Sequence, residues 1–309
     1  MKKNRSLLLL TGLFLLNACE EKMTEDEIKS IGQVSCRKPA AFIQSIGFDP
    51  NKSAFSSSNA KTIGIELIQL PSRQGDTTIR KYQDSSWASF GHMGTITTDE
   101  NGNAYSAPIP FVNTLEHTLS TINRIYKIDH QTGKMNMFCQ LPKIDSSQGV
   151  IPFGVLGLFY DCHGKILYAS SVGGSIPDQE AGVIYAIDVA TGKIVDQHKG
   201  LDAMGLFVGG NTGQKNLYFG HARSSVVYKI ELDKKGHFKG KETVALSLDG
   251  LGPRGMDKAR RIRYDQYGNL MIYGLDFSFN LAAQTERPES LYQFGYNNVE
   301  QKWILMKIE

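Results

Sequence analysis

The sequence predicts an all-β fold, a β-propeller of four-stranded up-and-down blades, and three observations carry that reading. A decapeptide, Ile125-Tyr-Lys-Ile-Asp-His-Gln-Thr-Gly-Lys134, recurs as Ile184-Tyr-Ala-Ile-Asp-Val-Ala-Thr-Gly-Lys193 with seven of ten positions identical. Its first half alternates like a strand; its second half pairs an Asp that bonds its own backbone with a Gly able to take positive φ. Between these copies runs a second unit, Asp-x-x-Gly followed by a strand containing Tyr. It occurs at Asp99 to Gly102 before Tyr105, at Asp161 to Gly164 before Tyr168, and at Asp265 to Gly268 before Tyr273. The two units alternate along the chain, so each cycle holds four strands, a to d, and turn chemistry repeats at every second strand. A two-layer sandwich would not repeat in that way; a propeller does.

Taken from the start, residues 1–18 read as an export signal. Lys2, Lys3 and Arg5 form a positive end, and Leu7 to Leu16 an apolar run too short to span a bilayer. The run ends in Leu16-Asn17-Ala18-Cys19, which resembles the lipobox of bacterial lipoproteins. That resemblance implies cleavage before Cys19, acylation of its sulfur and new amino group, and partnership with a membrane through the lipid. Glu20, rather than Asp, resembles lipoproteins sorted to the outer membrane of the bacterial cell envelope. Residues 19–38 then read as the lipidated Cys and an acidic tether carrying Glu20, Glu21, Glu25, Asp26 and Glu27.

Removing Lys2, Lys3 and Arg5 from 34 Lys and Arg leaves 31, equal to the 31 Asp and Glu. Such a balanced mature chain has no electrostatic footprint for nucleic acid. With 41% hydrophobic residues there is ample material for a core. Cys36, Cys139 and Cys162 allow at most one internal disulfide; no spacing is CxxC, and thiols are the expected state.

Residues 39–309 form the propeller domain. Five cycles are visible, near 39–86, 90–142, 152–199, 202–250 and 255–309, so the ring has five blades, or six with one copy eroded. Val227-Tyr-Lys-Ile230, Leu291-Tyr-Gln-Phe294 and Ile65-Glu-Leu-Ile68 are weaker echoes of the decapeptide, and Asp49-Pro-Asn-Lys52 an eroded Asp-x-x-Gly turn. In a meander blade the a–b and c–d turns share one face, and here all of them are short. The long connections, 106–124, 142–153, 171–183, 246–260 and 274–290, fall on the opposite face. One face is therefore plain and the other elaborated, and surplus loop length marks the working side.

The motifs Asp-x-x-Gly-Asn-x-x-Tyr and Ile-Tyr-x-Ile-Asp-x-x-Thr-Gly-Lys resemble the NHL and SMP-30/gluconolactonase group of propellers. That likeness implies fold more than activity. SMP-30-type lactonases hold a divalent metal with Glu, Asn and Asp from different innermost strands. Their early Glu lies in a segment opening the first blade, where residues 39–48 contain no carboxylate. No metal residues carry over, and no cofactor is predicted; a divalent metal belongs only to the alternative reading as a metal-dependent hydrolase. The main reading is a binding module for an envelope protein, a glycan or a small molecule.

The candidate binding residues lie on the loop face and channel mouth. His92 precedes strand a of its blade; His221 ends a strand b beside Arg223. Arg254, Asp257, Lys258, Arg260 and Arg261 lead into the last strand a, where cations need partners; Asp202 and Asp276 are the carboxylates in view. Phe277, Phe279, Asn280, Phe111 and Val112 put aromatic, apolar and amide groups in the long loops. Gly250-Leu-Gly-Pro-Arg-Gly255 matches G-x-G-x-x-G, but Pro253 and the strand-like Arg260 to Tyr264 deny it the helix a dinucleotide site needs. Asp99-x-Asn101-Gly-Asn103 alternates oxygens but has Ala104 and Pro110 where a calcium loop needs Gly and Glu.

Substituting Cys19→Ala tests the lipobox. The variant is expected to leave the membrane fraction and appear unlipidated by mass; retention in the lipid fraction would contradict the assignment.

Overall fold

A computed structural model describes residues 23–32, 36–57, 62–71, 77–109, 118–144, 151–210, 213–279 and 289–309. Cys19, Asn280, Phe111 and Val112 lie outside the described residues. Two short helices come first, α1 (Glu25–Ser30) and α2 (Ala41–Ser45). Five antiparallel sheets follow as the blades of a β-propeller. Blade one is β1 (Ser53–Ser56), β2 (Glu66–Gln69) and β3 (Arg80–Tyr82), followed by helix α3 (Ser85–Ala88). Blade two is β4 (Met93–Thr98), β5 (Ala104–Pro108), β6 (Arg124–Ile128) and β7 (Met135–Gln140). Blade three is β8 (Val155–Asp161), β9 (Ile166–Ser171), β10 (Val183–Asp188) and β11 (Ile194–Lys199). Blade four is β12 (Ala203–Gly209), β13 (Asn216–His221), β14 (Val226–Leu232) and β15 (Phe238–Ser247). Blade five is β16 (Lys258–Tyr264), β17 (Leu270–Leu275), β18 (Ser290–Asn297) and β19 (Lys302–Ile308).

All five sheets fall inside the five predicted cycles. The first departs from the four-strand expectation and has three strands among the described residues. Its Asp49 turn leads into β1, so the segment in the place of strand a is Ala41–Ser45, which is helical. The residues explain this: Ala-Phe-Ile-Gln-Ser buries the adjacent Phe42 and Ile43 together, a spacing that a period-two strand cannot offer to one face.

The turns follow from the repeated Asp. Asp99 Oδ1 accepts the N–H groups of Asn101 and Asn103, both at 2.9 Å; its Oδ2 accepts Asn103 Nδ2 at 2.7 Å and the Tyr105 hydroxyl at 2.9 Å. This accounts for the calcium-like spacing without an ion. Asp129 and Asp188 take the N–H and hydroxyl of Thr132 and Thr191, and that bonding holds both carboxyls below their usual range.

Apolar residues fill the spaces between consecutive blades, with one cluster at each of the four junctions from blade one to blade five. Tyr126 and Trp87 pack with Leu67 between blades one and two; Tyr105 and Ile125 with Tyr160 and Leu167 between two and three. Ile166 and Ile184 meet Leu206 and Phe219 between three and four, and Tyr218 and Phe207 meet Ile262 and Tyr292 between four and five. The second strands of blades two, three and four are buried along their whole length, whereas β17 alternates buried with half-buried. Blade five therefore covers one face on blade four and leaves the other face partly open.

The N-terminal segment was expected to be a tether, yet its described part packs on the plain face. Thr24 and Glu27 form a capping box at α1, and Glu27 lies 3.5 Å from Lys234 in the c–d turn of blade four. Ile31 is 1% exposed within the junction of blades three and four. Ser30 Oγ lies 3.0 Å from His163, in the a–b turn of blade three. Gly32, with φ +87°, passes Tyr264 so closely that a Cβ would come within 2.8 Å of the ring. Cys36 and Cys162 form a disulfide across 126 residues, so the expectation of free thiols holds only for buried Cys139. Farther on, the Phe42 N–H donates to the His130 carbonyl in blade two at 3.0 Å. This strap thus touches turns of blades two, three and four and the end of β16 in blade five.

Replacing Cys36 and Cys162 together by Ala is expected to lower the unfolding free energy of residues 20–309 by roughly 2–5 kcal/mol. A denaturant midpoint unchanged from that of the oxidised parent would contradict the strap.

Candidate functional site

On the elaborated face the blade three to blade four junction is a polar clamp. Asp202, 0% exposed, stands just before β12; its Oδ1 accepts Ser175 Oγ at 2.5 Å and its Oδ2 accepts Arg223 Nε at 2.6 Å. Arg223 lies in the tight turn after β13 and donates further to the carbonyls of Pro177 (2.5 Å), Ile176 (2.8 Å) and Gln179 (3.3 Å). These carbonyls belong to the long loop of blade three, so one guanidinium fastens that loop to blade four. Beside it, His221 Nε2 lies 2.9 Å from both Glu180 oxygens, and its Nδ1 lies 2.7 Å from Ser224 Oγ. Glu180 also accepts the Asp202 N–H at 2.8 Å. Ser224 Oγ accepts the Val226 N–H at 3.4 Å, which commits the hydroxyl to its own turn. Both His221 nitrogens therefore hold structure, and the cluster locks two blades together.

A second network anchors the loop before β16. Asp257, 0% exposed, accepts Arg254 Nε at 2.5 Å, Arg254 Nη2 at 2.6 Å and the Tyr292 hydroxyl at 2.9 Å. Burial alone would raise the Asp257 carboxyl, but the bonds from Arg254 and Tyr292 outweigh it and hold it below its usual range. Tyr292 is pushed up to about 12, by burial first and then by the Asp257 carboxylate. Arg254 is raised by the Asp257 bond foremost, with the Asp276 charge contributing. Gly252 admits the Tyr292 hydroxyl, which a Cβ would meet at 2.3 Å, and β16 follows within a few residues. The G-x-G-x-x-G match is thus an interblade loop.

The third group is different. Arg260, Arg261 and Arg263 are exposed on β16, and Ile262 turns the other way into the core shared with blade four. The Arg260 and Arg261 side chains are 55% and 61% exposed, and both reach one carboxylate, Glu289, at 3.2 and 2.5 Å. The Arg261 and Arg263 guanidiniums lie 4.2 and 5.1 Å from the centre of the Tyr273 ring, whose hydroxyl Arg263 also bonds. The partner of Arg261 is therefore Glu289, and the partner of Asp202 is Arg223. Glu289 and Glu180 were not singled out from sequence, and Tyr273 only as the tyrosine of a repeat unit, because no fixed spacing links them to the arginines or to His221.

The loop aromatics form a bridge. Phe277 and Phe279, after β17, pack on Phe153, before β8, with ring centres 6.0 and 5.7 Å apart, and Arg223 lies 5.4 Å over Phe279. The last blade thus reaches across to blades three and four. His92 stands apart, where blade one meets blade two: it bridges to Gly64, and its carbonyl accepts the Ile109 N–H at 3.1 Å. Among the described residues no three His, Cys, Asp or Glu side chains converge as a metal set.

No family model matches the chain, and no curated protein matches it. Solved structures do. A calcium-binding regucalcin from Agrobacterium tumefaciens str. C58 is 15% identical with TM-score 0.40, covering 74% of each chain. A glucose dehydrogenase is 12% identical with TM-score 0.45, covering 77% of this chain and 78% of its own. The soluble aldose sugar dehydrogenase from Escherichia coli is 13% identical with TM-score 0.43 and the same coverage. At these levels the similarities carry no argument about ligand or chemistry.

Asp202→Ala leaves the Arg223 charge without its carboxylate in a largely buried place. It is expected to cost roughly 3–5 kcal/mol in unfolding free energy. A loss below about 1 kcal/mol by denaturant titration would contradict the clamp.

Proposed function

We propose that this protein is an exported, lipid-anchored β-propeller that binds an anionic ligand or partner of the cell envelope through the arginine face of its last blade. One observation carries the binding reading. The innermost strand of that blade exposes three arginines, Arg260, Arg261 and Arg263, of which the first two share the carboxylate of Glu289 and the third bonds the Tyr273 hydroxyl. Guanidinium forks match carboxylate, phosphate and sulfate oxygens in pairs, and stacking on Tyr273 holds two of them before any ligand arrives. Less side-chain entropy is then lost on binding. Export is supported by the signal-like start and by the Cys36–Cys162 disulfide, which persists in oxidising compartments. The lipid anchor rests on the Leu16 to Cys19 motif. The alternative is an SMP-30/gluconolactonase-like metal-dependent hydrolase.

The test is calorimetric titration of residues 20–309 with two probes, pyrophosphate and a sulfated glycan. The parent is expected to bind at least one of them. Arg261→Ala is expected to weaken that binding about tenfold or more, the loss of one charge-assisted contact. Its melting temperature should stay within about 1 °C of the parent, because exposed ion pairs contribute little stability. Failure to bind either probe, or a stability loss as large as the binding loss, would contradict the reading.

A further inference from the structure

The geometry points to the plain face as the surface held against the bilayer, with the elaborated loops turned away from it; this rests on the lipid-anchor reading above. Met23 packs against the core at the junction of blades three and four, and Glu27, one helical turn on, lies 3.5 Å from Lys234 in the c–d turn of blade four. Thr24 caps the helix that carries Glu27, so Met23, the residue before it, sits at the plain end. Only four residue steps separate it from Cys19, a reach of about 14 Å when fully extended.

The blades are taller than that. Strands of six or seven residues, such as β8 and β12, span about 20–23 Å at the rise of an extended strand. A chain of four steps leaving the plain end cannot carry its lipid around the rim to the elaborated end. The strap removes the remaining freedom. Ser30 against His163, the Cys36–Cys162 disulfide and the Phe42 bond to His130 fix the segment to the turns of blades two and three, so it cannot peel off to lengthen the tether. The face is also suited to lie flat, since its turns are short and their Asp carboxylates are occupied by their own backbone. Acyl chains at Cys19 therefore draw the turns bearing Lys165, Lys193 and Lys235 to the headgroups. Lys143 and Lys199, both exposed at the other end, stay in water.

The experiment is lysine acetylation of the full lipidated chain in vesicles of phosphatidylethanolamine and phosphatidylglycerol, read residue by residue by mass spectrometry against the soluble Cys19→Ala chain. Lys165, Lys193 and Lys235 are expected to react about threefold or more slowly on vesicles, and Lys143 and Lys199 at the same rate in both samples. Protection of Lys143 and Lys199 instead, or identical rates at all five positions, would overturn the orientation. The intact mass of the same sample separates the two readings: a chain without acyl groups defeats the anchor itself, whereas an acylated chain with the wrong pattern defeats only the orientation.

Discussion

The fold depends on a carboxylate at the plain end of its blades that is bonded within its own turn. Asp99 shows the arrangement most fully, with two backbone N–H groups, one amide and one tyrosine hydroxyl on a single side chain that is 2% exposed. Asp265 repeats it with Tyr267, Asn269 and Gln293, and burial is outweighed there by the same kind of bonding, so its carboxyl also lies below its usual range. Asp161 adds an ion pair at 2.6 Å to Lys215, linking neighbouring turns of blades three and four in a site where both side chains are nearly inaccessible. Turns held this tightly cannot also be long. The plain face is therefore low and regular, and it offers a seat for the N-terminal strap. All surplus chain length goes to the other end.

A second constraint is the asymmetry of the ring. The middle blades bury both faces of their second strands; blade five buries one. Desolvating a guanidinium costs several kcal/mol unless its partners are well placed. Arg223 and Arg254 meet that condition, each with a buried carboxylate and further acceptors. Arg260, Arg261 and Arg263 do not have to, because the face they occupy is open to water. Identical residue types thus serve as bolts in one blade junction and as a charged surface in the last blade.

Much of this was legible in the sequence, for a physical reason. The Asp-Thr-Gly-Lys and Asp-x-x-Gly turns are local, since the carboxylate and the groups it bonds lie within a few residues, and a repeated local solution shows as a repeated word. The polarity of the two faces followed from those words and the loop lengths. The pairings across blades were not legible. Glu180 meets His221 across 41 residues, Glu289 meets Arg261 across 28, and Cys36 meets Cys162 across 126. Such separations leave no trace in spacing. The strap lay between these cases: Thr24 and Glu27 are a readable capping box, but what α1 packs against is set by distant turns. Blade one has three strands among the described residues, against the four expected, because Ala40 to Ser45 shows no alternation and Ala41–Ser45 folds as a helix.

The chain closes its plain face with its own N-terminal segment. Native-state hydrogen exchange of residues 20–309 addresses this closure most directly. The Ile28 and Ile31 amides, bonded to the Thr24 and Ile28 carbonyls, are predicted to exchange slowly in the oxidised protein and to speed up once the Cys36–Cys162 disulfide is reduced. Rapid exchange at both positions before and after reduction would contradict the account.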